Sequence, residues 1–356
     1  MEYTLIKSQE NLTLPQQEII AVLEKYNLNY KILEENPTLV RIDITTDEST
    51  IKKIGKQLSY THEILQTIKI TTPEKLEETY KNIDWKEHIC GSFKVRVKKM
   101  NQGSVNTHQI EYGIGGFIKK ETKAKVQLEN PETTIKIVYN NPIQKQEGDN
   151  LVTKEYEDVI ITRCVVQQNK KHFFTNKPHK RPYFHPGSMS PKLALCMVNL
   201  AHVKENSIVW DPFCGTGGII IEAGLLKAEI IGSDIDYRMT NGSKKNIEHE
   251  HIKNYEIIHG DARSIKLGKK VDAIVMDPPY GISTTTGGET TKKLYTESLN
   301  ALTNTLKPEG YICMASPHYL DLKEVVNDTK LEIVQQHSIR MHRSLTRIIT
   351  VLKHQK

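Results

Sequence analysis

The chain has 356 residues, a formal net charge of +6 and an ordinary charged fraction of 26%, so it is long enough for two or three folded domains and basic enough to permit a polyanionic partner without demanding one. Its five cysteines, Cys90, Cys164, Cys196, Cys214 and Cys313, are scattered and include no CxxC pair, which argues against a zinc ribbon or a disulfide framework and for a reducing compartment. The opening MEYTLIKSQENL lacks the basic and apolar blocks of a signal peptide, and no apolar run reaches the roughly 18 residues that span a bilayer, so the expected location is cytoplasmic, with no membrane partner.

Residues 1–60 alternate short strand-like and helix-like patterns. Glu2 to Lys7 reads as a strand, and Pro15 to Tyr26 as an amphipathic helix with Ile19, Ile20, Val22 and Leu23 on its apolar side. Tyr30 to Leu33 and Leu39 to Ile44 read as strands, and Ser49 to Leu58 as a second helix. That order predicts a small α+β ferredoxin-like module with nothing catalytic in it.

A second unit is expected over 61–163. Thr72 to Ile83 suits a helix, and Ser92 to Lys99 a strand in which Phe93, Val95 and Val97 alternate with Lys94, Arg96 and Lys98, so one face packs and the other presents cations. Gln109 to Lys119 follows, interrupted by Gly113, Gly115 and Gly116, and then two strands, Lys125 to Leu128 and Thr134 to Tyr139, flank the turn Glu129 to Glu132. The order SFKVRVKK, EYGIGGFI, AKVQLENPETTIKIVY resembles a THUMP domain, an RNA-binding module of tRNA-modifying enzymes. Residues 164–186 read as a basic linker. It carries Lys170, Lys171, Lys177, Lys180 and Arg181 among Phe173, Phe174, Tyr183 and Phe184 and holds no acid, a composition suited to phosphate contacts and base stacking.

Residues 187–356 carry the chemistry. A helix led in by Ser190 and Pro191 precedes the strand Ser207 to Asp211, a glycine-rich turn Pro212 to Gly218, and a further helix from Ile219. This strand, turn and helix opens a nucleotide-type binding unit, but Ile220 stands where a dinucleotide fingerprint requires its third glycine. Asp211 before the turn would repel a pyrophosphate and suits the cationic S-adenosylmethionine. The next strand, Glu229 to Asp234, ends in a carboxylate placed to meet ribose hydroxyls, with Asp236 beyond it as a helix cap. Tyr255 to His259 leads to Asp261, an acceptor for the adenine amine, and to Ala262, a source of a backbone N–H.

The apolar run Val271 to Met276 ends in Asp277-Pro278-Pro279-Tyr280. The prolines fix two φ angles and remove two N–H donors, so Asp277 and a carbonyl at Pro278 can grip an exocyclic NH2 while Tyr280 stacks on its ring. The polar loop Thr284 to Thr290 after it has two open readings, closure over a flipped base or a merely flexible loop. A helix over Lys292 to Leu306, a fifth strand at Gly310 to Ser316 and a terminal hairpin of Leu331 to His337 with Ser344 to Lys353 complete the pattern. Arg340, Arg343 and Arg347 on that hairpin have two open readings: contact with RNA, or solubility of a sheet edge. Together these predict an α/β chain whose C-terminal Rossmann-like sheet is a SAM-dependent exocyclic-amine methyltransferase. The fourteen histidines show no ligand spacing, so no metal is expected.

The whole chain, with RPYFHPGSMSPKLALCMVNLA and the closing RMHRSLTRIITVL, resembles the archaeal THUMP-containing tRNA guanine-N2-methyltransferases that act at tRNA position 10. The resemblance implies S-adenosyl-L-methionine bound by Asp211, Phe213, Gly215, Gly217, Asp234, Asp261, Ala262 and Asp277. It implies a target base held by Asp277, Pro278, Pro279 and Tyr280, and one or two methyls added. Expected partners are tRNA and either a small activator subunit or none, the chain then acting as a monomer. The alternatives are a DNA or rRNA amino-methyltransferase, since the tetrad serves adenine N6 as well, and an inactive tRNA-binding protein.

Overall fold

The computed structural model describes all residues except 101–104, 141–145, 148–149, 152–157, 170, 282–289 and 356. The chain begins β1 (Glu2–Lys7), α1 (Leu14–Lys25), β2 (Tyr30–Glu35), β3 (Leu39–Ile44), α2 (Glu48–Gln57), β4 (Thr61–Thr71) and α3 (Leu76–Lys81). It continues with β5 (Phe93–Lys99), α4 (Thr107–Thr122), β6 (Thr133–Asn140), the short pair β7 (Gln146–Glu147) and β8 (Asn150–Leu151), and β9 (Asp158–Gln167). Then come α5 (Lys171–Thr175), α6 (Pro191–Leu200), β10 (Ile208–Asp211), α7 (Gly218–Leu225), β11 (Glu229–Asp234), α8 (Tyr237–His249), β12 (Tyr255–His259) and β13 (Val271–Met276). The last elements are α9 (Thr291–Thr303), β14 (Leu306–Pro317), α10 (Leu322–Asn327), β15 (Leu331–His342) and β16 (Leu345–His354). Two compact units result: Met1–Leu12, Leu28–Lys56 and Thr61–Gln168 form the first, and Thr13–Asn27, Gln57–Tyr60 and Asn169–Lys356 the second.

The first unit is built on one sheet of order β2-β3-β1-β4-β9-β6-β5. Its first four strands follow the ferredoxin-like order, and β9, β6 and β5 extend the same sheet, β5 lying parallel to β6 at the rim. The glycine-bearing segment Gln109 to Lys119, given no element from its sequence, lies within the helix α4. Asn106 caps it by accepting from the Gln109 N–H at 3.1 Å, and Ile114 and Ile118 bury against Phe93 and Val95 of β5. Gly113 and Gly116 fall on its exposed side, so core packing outweighs the roughly 1 kcal/mol that each glycine costs a helix. The expected strand Lys125 to Leu128 reduces to a single bridge between Val126 and Phe93.

The second unit is a sheet of order β12-β11-β10-β13-β14-β16-β15. Strands β10 to β14 are parallel, their Val- and Ile-rich interiors covered on both faces, while β16 runs antiparallel between β14 and β15. Ser190 accepts from the Leu193 N–H at 3.4 Å to cap α6, with Pro191 at its first position. Helix α1 packs on α6 as part of this unit, and a buried polar hub fastens it. Asn199 donates to Glu18 Oε1 and to the Gln57 carbonyl, each at 2.8 Å, and accepts from Lys25 Nζ at 3.1 Å. Glu18 also accepts from the Ser59 and Tyr60 N–H groups at 2.8 Å. Sheet order reverses between β10 and β13, and a crevice opens outside the carboxyl ends of strands at such a switch point.

Candidate active site

Asp211, the last residue of β10, is 1% exposed and accepts from the Phe213 N–H at 3.0 Å, which fixes the start of the glycine turn. The Cys214 N–H donates to the Ser233 carbonyl at 2.8 Å and the Gly215 N–H to Asp234 Oδ2 at 2.9 Å, so the turn is stitched to the end of β11. Gly215 has φ +49° and a Cβ built there would meet nothing within 4 Å: bare backbone faces open space, as a closely approaching ligand needs. Gly217 has φ +84°, and its added Cβ would lie 2.6 Å from Ser243 Oγ. The second oxygen of Asp234 accepts from the Asp236 N–H at 2.9 Å, and Asp236 caps α8 through the Arg238 N–H at 2.8 Å.

Burial raises Asp211 well above the usual carboxylate range, and the nearby charges of Asp234 and Asp277 push it further. Burial raises Asp234 and Asp277 as well. Three carboxyl groups crowded at one glycine turn resist a pyrophosphate, and a bound cation would favour their ionised forms, which fits S-adenosylmethionine. At the next strand end, Asp261 is gripped by Arg263 through contacts at 2.6 and 3.0 Å, and that guanidinium holds its carboxyl below the usual range. Arg263 also reaches Glu297 at 2.9 Å. Ala262 beside it is buried.

The corner after β13 is more heavily braced than its sequence suggests. Tyr280 Oη donates to Asp277 Oδ1 at 2.7 Å, Arg347 Nε donates to Tyr280 Oη at 2.7 Å, and Arg347 Nη2 lies 3.2 Å from Asp277 Oδ2. The Pro278 carbonyl accepts from Tyr295 Oη at 3.3 Å; the Tyr280 carbonyl accepts from Thr291 Oγ1 at 3.3 Å and from the Tyr319 hydroxyl. Pro279 lies between the two braced carbonyls and is half-buried. Burial pushes the Tyr280 hydroxyl far above its ordinary range, so it serves as a neutral donor. The loop expected over Thr284 to Thr290 lies outside the described residues up to Thr290, which caps α9 by accepting from the Lys293 N–H at 3.3 Å.

Two expectations are corrected here. Arg347 does not sit on a sheet edge, because β16 runs inside the sheet and Arg347, itself buried, shares a face with the buried Ile349 and Val351. Arg181, read as a phosphate contact, has a side chain only 2% exposed and stands 4.0 Å from Glu222 of α7, which also accepts from His172 Nε2 at 3.0 Å. Lys170 lies outside the described residues, while Lys171, Lys177 and Lys180 stay exposed around Phe174, with Lys177 Nζ 5.2 Å from its ring centroid. In the first unit, Arg96 pairs with Glu111 at 3.3 Å and Lys98 with Glu63 at 3.2 Å, and Lys94 donates to the Leu128 carbonyl at 3.3 Å. The basic face of β5 is therefore partly neutralised.

Sequence reading singled out Arg347 without joining it to this corner, and missed Arg263, Tyr295 and Tyr319. Arg263 had a local signal, two residues after Asp261. Tyr295 and Tyr319 approach only through α9 and the end of β14, and a lone cation in the apolar strand TRIITVL was the single trace of Arg347.

The family model described as "RMKL-like, methyltransferase domain" matches residues 178–349, and the THUMP domain model matches residues 71–141. A tRNA (guanine(10)-N2)-dimethyltransferase of Methanothermobacter thermautotrophicus is 43% identical over 99% of both chains, and one of Methanocaldococcus jannaschii 34% identical over 97% of both. The crystal structure of TrmN from Thermus thermophilus covers the whole of both chains with a TM-score of 0.56 at 16% identity, a likeness of fold. An α/β methyltransferase sheet with a THUMP domain, a braced DPPY corner at its switch point and full-length relatives of one kind lead to one assignment: the chain belongs to the THUMP-containing tRNA (guanine(10)-N2)-dimethyltransferase family.

Proposed function

We propose that the crevice between β10 and β13 is the methyl-transfer site and that its acceptor is the exocyclic N2 of the guanine at tRNA position 10, methylated once and then again. The protein is a tRNA guanine-N2 methyltransferase, as its full-length relatives are named. The observation that carries the site is the Asp277 corner standing beside Asp211 at the sheet's switch point. Asp211, Phe213, Gly215, Gly217, Asp234 and the Asp261-Ala262 turn would hold the cofactor, and their negative field favours its charge. Bound there, S-adenosylmethionine supplies a methyl on a sulfonium, whose bonding pair returns to sulfur as a new N–C bond forms.

Asp277 accepts one hydrogen of the guanine amine and the Pro278 carbonyl the other, which fixes the amine's plane and leaves its lone pair perpendicular to the ring. As N2 gains a methyl it becomes cationic and its N–H protons, two after the first transfer and one after the second, become strongly acidic. In its ionised form, which the Arg347 guanidinium favours against burial, Asp277 is then base enough to take one. A base in a tRNA stem must first be turned out, at a cost of about a few kcal/mol. The exposed Lys171, Lys177 and Lys180 around Phe174 suit contact with the tRNA backbone, and work on tRNA fits a cytoplasmic protein. Incubating the purified chain with labelled cofactor and a tRNA transcript, followed by mass spectrometry of the nucleosides, should give N2-methyl- and N2,N2-dimethylguanosine. Label on adenosine, or label entering rRNA or DNA while tRNA stays unmodified, overturns the reading.

A further inference from the structure

Arg347 closes a ring with Asp277 and Tyr280 that bears on which base the corner accepts. It is 8% exposed, its guanidinium carbon stands 5.6 Å from the Tyr280 ring centroid, and its two polar contacts at 2.7 and 3.2 Å go to the Tyr280 hydroxyl and to Asp277. Each oxygen of Asp277 thereby has one donor, Tyr280 on Oδ1 and Arg347 on Oδ2, and keeps a second lone pair, while the side chain stays 19% exposed to the crevice.

The charge of Asp277 is contested. Burial favours its protonated form, while the hydroxyl that Tyr280 donates to Oδ1 favours the carboxylate without adding charge; Tyr295 from α9 faces the corner with a neutral hydroxyl turned to Pro278. Among the described residues facing it, Arg347 is the cation that opposes protonation. Its influence decides hydrogen-bond polarity. An ionised carboxylate offers two acceptors side by side, whereas a carboxylic acid offers one donor and one acceptor. The edge of guanine next to its amine carries two donors, N1–H and N2–H. The corresponding edge of adenine carries an acceptor at N1 and a donor at N6.

We propose that Arg347 is a specificity-determining positioning residue: by holding Asp277 as a two-acceptor carboxylate, it matches the corner to the N1–H and N2–H of guanine and mismatches it to adenine. This rests on the corner being the methyl-acceptor site. The sharpest probe is 2-aminopurine, which keeps the exocyclic amine of guanine but presents an acceptor at N1. Transcripts carrying guanine or 2-aminopurine at position 10 are to be compared with the parent protein, Arg347→Met and Arg347→Lys.

The parent should favour guanine in kcat/KM by roughly tenfold to a hundredfold, the discrimination typical of a good bidentate pair. Arg347→Met should lose most of that ratio because Asp277 then takes up a proton, and Arg347→Lys should keep most of it. A turnover-independent measurement runs in parallel: the carboxyl of 13C-labelled Asp277, identified by its loss in Asp277→Asn, is titrated by NMR. Its midpoint should move to higher pH in Arg347→Met, a shift that a merely structural role would not produce. Should Arg347→Met fail to fold, Arg347→Gln, which keeps donors without charge, is read in the same way. An unchanged guanine to 2-aminopurine ratio, or a midpoint that stays in place, overturns the proposal. A parent protein that methylates neither transcript instead defeats the functional reading, and the titration still decides whether Arg347 sets the charge of Asp277.

Discussion

Replacing Asp277 with Ala removes the proposed acceptor for the amine proton together with the partner of Arg347 and of the Tyr280 hydroxyl. Single-turnover methyl transfer should fall by roughly a hundredfold to a thousandfold, the loss typical of one preorganised electrostatic contact, a far larger effect than on calorimetric affinity for the cofactor. Asp234→Ala should do the reverse, because its two oxygens hold the Gly215 and Asp236 N–H groups and leave lone pairs for ribose hydroxyls. Cofactor affinity should weaken by about 1.5 to 3 kcal/mol, and unchanged binding by calorimetry would count against that role. A third residue reports on pH. His202, stacked on Tyr311 with ring centroids 4.2 Å apart, is lowered to about 4 by burial and then by Lys25, which outweigh the half-exposed Glu24 carboxylate 3.7 Å away. A histidine depressed in the fold stays neutral there, so its contribution is full above its unfolded pKa near 6.5 and is lost as pH falls from there toward 4. Stability of the second unit should therefore drop by about 1 to 3 kcal/mol over that window in denaturant titrations, and His202→Phe should flatten the drop.

Elements differ in how their glycines are used, and a pair of alanine substitutions separates the cases. At the amino end of α7, Gly217→Ala forces a Cβ onto a left-handed residue and 2.6 Å from Ser243 Oγ. Thermal unfolding should show a loss of more than about 1 kcal/mol, together with weaker cofactor binding. On α4, Gly116→Ala puts a methyl into open space on an exposed helical face and should stabilise by about 0.5 to 1 kcal/mol. The same contrast explains what local pattern conveyed. The strand, turn and helix around Gly215 and the strand before Asp277 were readable because apolar runs, glycines and acids succeed one another within a few residues. Helix α4 was obscured because its propensity is poor and its stability comes from Ile114 and Ile118 docking on β5. The hairpin of β15 and β16 was visible as two strands, but its register beside β14, where Pro317 faces Arg347, was not.

Across the whole chain, the two units carry one tryptophan each, Trp85 in the first and Trp210 in the second, so their unfolding can be followed separately by fluorescence. In a Trp85→Phe background, Asn199→Ala should destabilise the second unit by about 1 to 3 kcal/mol, because Glu18, Lys25 and the Gln57 carbonyl each lose a buried partner. A fragment starting at residue 169 should unfold more readily still, since it lacks α1, which belongs to this unit although 141 residues separate Asn27 from Asn169. The order of strands, the glycine turn, the acids at successive strand ends and the DPPY corner were determined by sequence alone, because each is a contiguous run whose chemistry survives in any parallel sheet. Tertiary structure alone decided that Arg347 is a member of the corner, that Arg181 is withdrawn against Glu222, and that α1 joins the second unit. The physical reason is shared: each depends on a partner far along the chain, brought close by sheet order and core packing, and neither periodicity nor charge pattern carries information about a partner 67 residues away, as Tyr280 is from Arg347.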